Sequence, residues 1–374
     1  MKPLFRPKYN TEEILDNLRL VIESGWTGTG PKCLQFEGEF NEFVGCKDSL
    51  FVNSCTSALQ LAVRLLDKLG NGPIVSTPIT FISTNAVIVM EGHQPVFADV
   101  DPDNFSLSPD SVMKKIRQTG ARVVMWVHYA GSVHPRFLET ANELSRMGVS
   151  VIEDCAHAMG ACYPGTSKYV GSLSNTISCF SFHSVKNLPT FDSGMLVIPD
   201  GLMLERARKL AWLGINKSTY DRTNSLSLYK WQYDCEELGY KFNGNDVAAT
   251  FALGQLGNLL ADNLYRKQIY TWYQQLLGNK VKLLTHDANS SFHFVEILAD
   301  DRDSLMSKLK DSGYATGVHY IPNYRFRPFA KYYEGDCENC ERYADMMITL
   351  PVHLEITKED VTKICSVVNK HCGI

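Results

Sequence analysis

The stretch VSVIEDCAHA, residues 149–158, is an apolar run that ends in two acids and a histidine. A short run rich in β-branched residues indicates a buried strand. Similar runs recur across residues 50–200 and alternate with helical patterns, which is typical of a largely parallel sheet with helices on its faces. We therefore predict an α/β fold. The predicted strands are Pro73–Ser76, Pro95–Val100, Arg122–His128, Val149–Asp154, Thr176–Phe182 and Met195–Ile198.

Helical patterns flank these strands and become longer after residue 200. Asn10 followed by Glu13 resembles a capping box for a helix that is expected to end near Ser24-Gly25. A chain of 374 residues is long enough for a large domain and a smaller one. We predict a large domain over residues 1–240 and a smaller C-terminal α/β domain over residues 241–374. The other predicted helices are Ser57–Leu69, Asp246–Leu260 and Tyr265–Leu277.

Composition argues against several classes of protein. The net charge is −4 and no run is dense in lysine or arginine, so nucleic acid is not expected as a partner. Apolar runs are too short to span a bilayer and the first residues lack an apolar signal core, so we expect no membrane partner and a cytoplasmic location. The eleven cysteines are then expected to be reduced. Cys337 and Cys340 have a metal-like spacing without a second ligand pair, which predicts a surface loop and no metal site.

Candidate site residues follow predicted strands, because parallel sheets bind ligands at the carboxyl ends of their strands. The segment Asn53–Leu59 leads hydroxyl groups into a helix, which fits a phosphate site or simple helix capping. Asp154 and His157 follow a strand, where a carboxylate can pair with a protonated ring nitrogen or only cap a loop. Lys186 is either a Schiff-base lysine or a solvated one. The aromatic in Thr77–Phe81 can cover a flat ring or belong to the core.

Together these segments resemble the DegT/DnrJ/EryC1/StrS family of sugar aminotransferases, which have the fold-type-I aminotransferase architecture. The resemblance covers nearly the whole chain, because the matching segments keep the family's order and separations. It implies an enzyme that uses pyridoxal 5′-phosphate. The matching segments are Ser24–Trp26, Cys55–Leu59, Thr77–Phe81, Pro95–Val100, Glu153–Ala158, Phe180–His183 with Lys186, Gly239–Asn243, Val318–Pro322 and Leu350–His353.

The resemblance implies a role for each matching position. Lys186 is expected to bind the cofactor covalently and then to move protons. Asp154 is expected to hold the ring nitrogen, and His157 to lie near the phenolic oxygen. Phe81 is expected to stack on the ring. The residues expected to bind the cofactor phosphate are Thr56, Ser57 and Ser181.

The resemblance also implies partners. Lys241 and Asn243 match a segment that reaches the neighbouring subunit's site in this family, which implies a homodimer. The segment with His319 and Tyr320 looks like that of members acting at C4. The expected reaction is therefore amino transfer from L-glutamate to C4 of a nucleotide-linked 4-keto-6-deoxy sugar.

Two segments depart from the family's pattern. Phe191-Asp192-Ser193-Gly194 stands where the family commonly has Gly-Glu-Gly-Gly, so an altered sugar pocket is expected. Arg325 and Arg327 lie in a segment that replaces a common His-Leu-Gln. These arginines either meet a diphosphate or are solvated surface charges.

Several alternatives stay open or are disfavoured. Amination at C3, amination of another keto sugar and a family member that no longer transaminates are alternatives to the expected reaction. A nicotinamide-dependent oxidoreductase is disfavoured, because no Gly-x-Gly-x-x-Gly joins a strand to a helix. The dehydratase branch of the family is disfavoured because it has histidine where this chain has Lys186.

Overall fold

A computed structural model describes residues 1–66, 70, 72–199, 201–216 and 233–373. Its larger sheet has the strand order β1-β7-β6-β5-β4-β2-β3. Every pair in it is parallel except those made by β7, which runs antiparallel to both of its neighbours. The strands are β1 Ser49–Val52, β2 Ile74–Ser76, β3 Pro95–Phe97, β4 Val123–Val127, β5 Ser150–Asp154, β6 Thr176–Ser181 and β7 Gly194–Val197.

Helices cover both faces of this sheet, and a buried apolar cluster fills the space on each side. Sheets of this kind need cover on both faces because their strands are apolar throughout. The helices up to the end of the sheet are α1 Thr11–Glu23, α2 Pro31–Val44, α3 Cys55–Leu65, α4 Ile82–Met90, α5 Pro109–Thr119, α6 Phe137–Arg146 and α7 Gly201–Ala211. Two more, α8 Asp246–Leu256 and α9 Leu259–Leu276, follow residue 233.

A second, antiparallel sheet lies in the C-terminal part and has the order β10-β9-β8. Helices α9, α10 and α12 contribute to its own apolar core. The predicted division at residues 240 and 241 stays a prediction. The elements are β8 Lys282–Leu283, β9 Val295–Leu298, α10 Arg302–Asp311, α11 Glu338–Tyr343, β10 Met347–Leu350 and α12 Lys358–His371.

Each predicted strand is present, with ends that differ by up to three residues, and β1 lies outside the prediction. The helix predicted to end at Leu69 ends at Leu65, and residues 67–69 lie outside the described part of the chain. The helix predicted to end at Leu260 stops at Leu256, before Gly257. Among the described residues, no helix combines the length and apolar character that crossing a membrane requires.

Two local predictions were wrong. Helix α1 has no capping box, because the Asn10 side chain hydrogen-bonds the Glu13 carboxylate and does not accept from the helix backbone. Cys337 and Cys340 do not lie in a surface loop. Both thiols are fully buried at the start of α11, where burial against apolar neighbours compensates for the polar residues between them.

Candidate active site

The carboxyl ends of β5 and β6 bring the first candidate residues together. The two strands pair in parallel, with Asp154 opposite Cys179, so Asp154 and Ser181 end at the same edge of the sheet. The neighbouring acid Glu153 points to the opposite face. There it bonds the His128 ring at 2.7 Å within the core. Asp154 is therefore the strand-end acid that faces the candidate site.

Asp154 is buried and held by two hydrogen bonds. The Thr84 hydroxyl donates to Oδ2 at 2.8 Å, and the Ala156 backbone N–H donates to Oδ1 at 3.1 Å. Burial raises the pKa of this carboxyl, while the two hydrogen bonds and the nearby Lys186 charge oppose that rise. A carboxylate in this setting gains most from a cation placed beside it, such as a protonated ring nitrogen.

Lys186 lies in the turn that follows β6, where its backbone N–H donates to the His183 carbonyl at 2.8 Å. Burial lowers the pKa of its amine to about 8, and the charges of Cys55 and Asp154 limit the fall. The charged amine still predominates at neutral pH, but the uncharged fraction is far larger than in an ordinary lysine, which favours a nucleophile or a proton acceptor.

Three histidine rings lie close enough to the Lys186 amine for its charge to act on them. Burial lowers the pKa of His157, His293 and His319, and the charge on Lys186 lowers each of them further. For His319 the result is a pKa of about 4. The site is consequently lined by rings that are neutral at physiological pH.

His157 has one ring nitrogen engaged and one without a partner among the described residues. Its Nε2 lies 3.1 Å from the Tyr320 hydroxyl, and its buried Nδ1 makes no hydrogen bond. The ring also stacks on His293, with centroids 4.6 Å apart. A buried polar atom without a partner carries a cost that a bound polar group would remove.

The N-terminus of α3 provides a cradle of hydroxyl and N–H groups. Ser54 caps the helix by accepting from the Ser57 backbone N–H at 3.1 Å. Ser57 in turn donates its hydroxyl to Asn53 at 2.6 Å. Thr56 lies half-buried between them. The arrangement fits both interpretations, because helix capping and anion binding use the same end of a helix.

Gly194 brings Ser181 close to this cradle. It pairs with Ser181 across β6 and β7, and a Cβ on Gly194 would lie 2.6 Å from the Cys55 backbone nitrogen. Position 194 therefore requires glycine, because the backbone at Cys55 leaves no room for a Cβ. Of the three changed positions before Gly194, Ser193 is buried and bonds Thr190, whereas Phe191 is half exposed.

Lys241 and Asn243 lie alongside the end of β1. The backbone around them pairs with Val52 and Asn53, one residue before the Ser54 cap of α3. Lys241 is exposed, with its Nζ 3.2 Å from the centroid of the Trp212 ring. The Asn243 amide donates to the Thr29 hydroxyl at 2.6 Å. Both residues therefore lie at the rim of the cradle.

Phe81 and the His319-Tyr320 segment lie on the other side of the site. Phe81 is 57% exposed, and its ring centroid is 6.2 Å from that of Tyr320. His319 is anchored by Nδ1 to the Thr349 hydroxyl at 2.8 Å and stacks on Phe294. An exposed ring held beside a buried cluster is available to cover a ligand.

The two arginines predicted for a diphosphate differ in their surroundings. Arg325 makes a bidentate ion pair with Asp345, in which one of the two distances is 2.9 Å. Arg327 is exposed. An arginine already paired with a carboxylate loses that pair on binding phosphate, so Arg327 is the better candidate of the two.

Sequence reasoning missed several residues of this site. Thr84 orients Asp154, and it lies one helical turn after Thr80, whose hydroxyl is 2.8 Å from its own. The four-residue spacing of Thr80 and Thr84 is the sequence feature that could have indicated Thr84. Asn187 and His293, joined at 2.8 Å, come from segments far apart in the chain, and no local pattern connects them.

Comparison with known proteins shows which family this chain resembles. The model of the DegT/DnrJ/EryC1/StrS aminotransferase family matches residues 8–369. The spore coat polysaccharide biosynthesis protein SpsC of Bacillus subtilis is 32% identical, over 98% of this chain and 96% of its own. The sugar aminotransferase CalS13 of Micromonospora echinospora has a TM-score of 0.89 and 26% identity, over 99% of this chain and 100% of its own.

A third comparison bears on the cofactor. A protein of Streptococcus pneumoniae, assigned as a sugar aminotransferase and solved in its PMP form, has a TM-score of 0.87 and 25% identity, over 99% of this chain and 98% of its own. The expected family resemblance and the expected fold-type-I α/β architecture are confirmed.

Proposed function

The chain belongs to the DegT/DnrJ/EryC1/StrS aminotransferase family, and from this premise we propose that it transfers an amino group from L-glutamate to a nucleotide-linked keto sugar. The observation that carries the proposal is that Lys186 follows β6 where Asp154 ends the neighbouring parallel strand β5, with the pKa of its amine lowered by burial. A cleft of this polarity fits proton transfer at a carbon next to nitrogen.

Pyridoxal 5′-phosphate is the cofactor that these residues fit. The Nδ1 of His157, which has no hydrogen-bond partner in the described part of the chain, suits the phenolic oxygen, and the cradle at the α3 N-terminus suits the phosphate. Asp154 suits the ring nitrogen, and the exposed Phe81 suits the ring face. When bound, this cofactor supplies an aldehyde carbon that accepts the donor's nitrogen and a ring that accepts electrons from the reacting carbon. The PMP form of the Streptococcus pneumoniae protein supports this assignment.

The residues of the chain then have separate tasks. Lys186 holds the cofactor until the donor's amine displaces it. Its Nζ then takes a proton from the carbon on one side of the transferred nitrogen and returns it to the carbon on the other side. Asp154 keeps the ring nitrogen protonated by accepting its hydrogen bond, and Thr84 fixes the orientation of that carboxylate. The remaining hydroxyls, Thr56, Ser57 and Ser181, hold the phosphate in place.

We further propose that the acceptor is a nucleotide-linked 4-keto-6-deoxy sugar aminated at C4. His319 and Tyr320 lie beside Lys186 and belong to the segment that resembles C4-acting members. Arg327 is exposed and therefore available to bind a diphosphate. Anchoring the diphosphate there would determine which carbon of the sugar ring reaches the reacting centre. Amination at C3 and loss of transamination are the alternatives.

The regiochemistry is tested by product analysis. We expect purified protein, loaded with pyridoxal phosphate and given L-glutamate, to aminate 4-keto nucleotide sugars and to leave 3-keto ones unchanged. Incubation with a panel of both, followed by NMR assignment of the carbon that bears nitrogen, checks this. Nitrogen found only at C3 would contradict the C4 assignment alone. Turnover of none of the panel would contradict the choice of nucleotide-linked acceptor.

We also propose a homodimer with shared active sites, in which Lys241 and Asn243 serve the partner subunit's site, as the matching segment does in this family. The exposed side chain of Lys241 at the rim of its own chain's cradle supports a subunit interface there. Lys186→Ala and the double variant Lys241→Ala/Asn243→Ala should each be inactive alone. In a one-to-one mixture after subunit exchange, activity should return to roughly a quarter of the wild-type value, because half the dimers are mixed and each has one intact site. No recovery after proven exchange, or a monomer in sedimentation, would contradict this proposal.

We propose the cytoplasm as the compartment of the reaction. All eleven cysteines are free thiols, and seven of them are buried, as expected for a chain that folds in a reducing environment.

A further inference from the structure

A small cavity opens beside Lys186 on the side of the C-terminal part of the chain. It is lined by residues from separate segments, among them Lys8, Lys186, Arg266 and His293. Its volume is about 20 Å³, which suits a small polar group and is too small for a sugar ring or a nucleotide. None of the roles proposed above uses this cavity.

Arg266, on α9, is the notable residue of the cavity. Its Nη1 donates to the Asn263 Oδ1 at 3.1 Å. Within the described part of the chain, no carboxylate lies within 4.0 Å of its guanidinium. Burial lowers its pKa to about 10, and the charge of Asp262 opposes that fall. A half-buried guanidinium with free donors is a site for an anion.

Arg266 is also held in a fixed position relative to Lys186. Asn263, which accepts its hydrogen bond, is tied on one side to the Met159 carbonyl at 3.0 Å. On the other side it accepts from the Asn187 amide at 2.7 Å, and Asn187 directly follows Lys186 in the chain. The guanidinium and the lysine are thus linked through a short, buried chain of amide groups.

The charges around the cavity favour an anion. Lys8, Lys186 and Arg266 line it, and Arg6 lines it with its charge matched by Glu355 at 2.8 Å. Among the described lining residues, Asp262 is the single carboxylate. Lys186 is left out of this balance because its amine holds the cofactor in the proposed function. Lys8 and Arg266 still outnumber the one carboxylate and leave the cavity net positive.

We propose that Arg266 binds a carboxylate of the amino donor. This inference rests on the proposed function, since the donor must bring its amine to the position held by Lys186. In an amino acid the α-carboxylate is attached to the carbon that carries the amine, so a cation close to Lys186 is placed to receive it. A pair of charge-assisted hydrogen bonds from one guanidinium would then orient the donor for reaction.

The test is the Arg266→Met variant, which keeps most of the side chain's length and removes its charge. Glutarate, a dicarboxylate without an amine, reports binding without turnover. We expect its dissociation constant, measured by calorimetry on the cofactor-loaded protein, to rise by about 10- to 100-fold, the range for a lost hydrogen bond between charged groups. The KM for L-glutamate should rise by a similar factor. The rate with benzylamine, a donor without a carboxylate, should stay unchanged.

Three controls separate this role from a structural one. Arg266→Lys should recover part of the glutarate affinity, and Arg302→Met, at another half-buried arginine, should leave it unchanged. Uridine diphosphate should bind Arg266→Met as it binds the wild type. Unchanged glutarate binding, or weaker binding of the diphosphate in its place, would overturn the role of Arg266. The proposed function would survive that result, because it is tested separately by attachment of the cofactor to Lys186.

Discussion

Replacement of Lys186 by alanine is expected to lower kcat for amino transfer by roughly 10³-fold or more, the scale on which loss of a covalent catalyst acts. The reason is that one side chain performs two tasks. Its amine, with a pKa of about 8, binds the cofactor, and the same amine then moves the proton. An added amine is not expected to perform both tasks, because it is not held beside the reacting carbon as the Lys186 side chain is.

Borohydride reduction gives the direct measurement. Wild-type protein loaded with pyridoxal phosphate should carry the reduced cofactor on the peptide that contains Lys186, as found by mass spectrometry. The control is Lys168→Ala, which removes an exposed lysine and should change neither labelling nor rate. A label on another lysine would refute the role given to Lys186.

The part of the fold that local sequence determines was predictable. Buried runs rich in β-branched residues, such as Val151-Ile152, identify their strands without reference to the rest of the chain. Strand β1 was not predictable in this way, because Ser49-Leu50-Phe51-Val52 contains a single β-branched residue. It becomes a strand through its pairing with β7, which is distant in sequence.

The residues of the candidate site likewise differ in how far local sequence indicates them. Lys186 and Asp154 could be recognised because each follows a strand and matches a family segment. Arg266 could not, since its position beside Lys186 depends on Asn187, Asn263 and the packing of α9. Contacts between segments this far apart leave no periodic pattern in the sequence.

Cys337 and Cys340 were predicted to lie in a surface loop because the sequence offers no second ligand pair for a metal. That reasoning does not address whether the two thiols are buried. In the structure the backbone N–H groups of Asn339 and Cys340 donate to the Asp99 carboxylate at 2.9 and 3.1 Å. That carboxylate caps the start of α11, which allows polar residues to flank a buried pair of cysteines.

Asp154→Asn is expected to reduce kcat by about 10²- to 10³-fold, the usual cost of removing electrostatic stabilisation at a reacting centre. The substitution keeps the shape of the side chain and an oxygen that can accept from Thr84. It removes the negative charge, so a protonated ring nitrogen loses its partner. Because Lys186 is intact, borohydride should still fix the cofactor to that residue.

Two further variants test whether the charge or the fold is responsible. Thr84→Val removes the hydroxyl that orients the carboxylate and keeps the side chain's shape. We expect a loss of only about tenfold, the worth of one hydrogen bond. Asp110→Asn changes an exposed carboxylate that pairs with Arg136, far from the site, and should not affect the rate. If Asp154→Asn turned over at the wild-type rate while binding the cofactor, its carboxylate could not be the partner of the ring nitrogen. If Asp154→Asn lowered the melting temperature enough to leave the protein unfolded under the assay conditions, the loss of rate would instead assign Asp154 a structural role. Its buried hydrogen bonds would then act by stabilising the core.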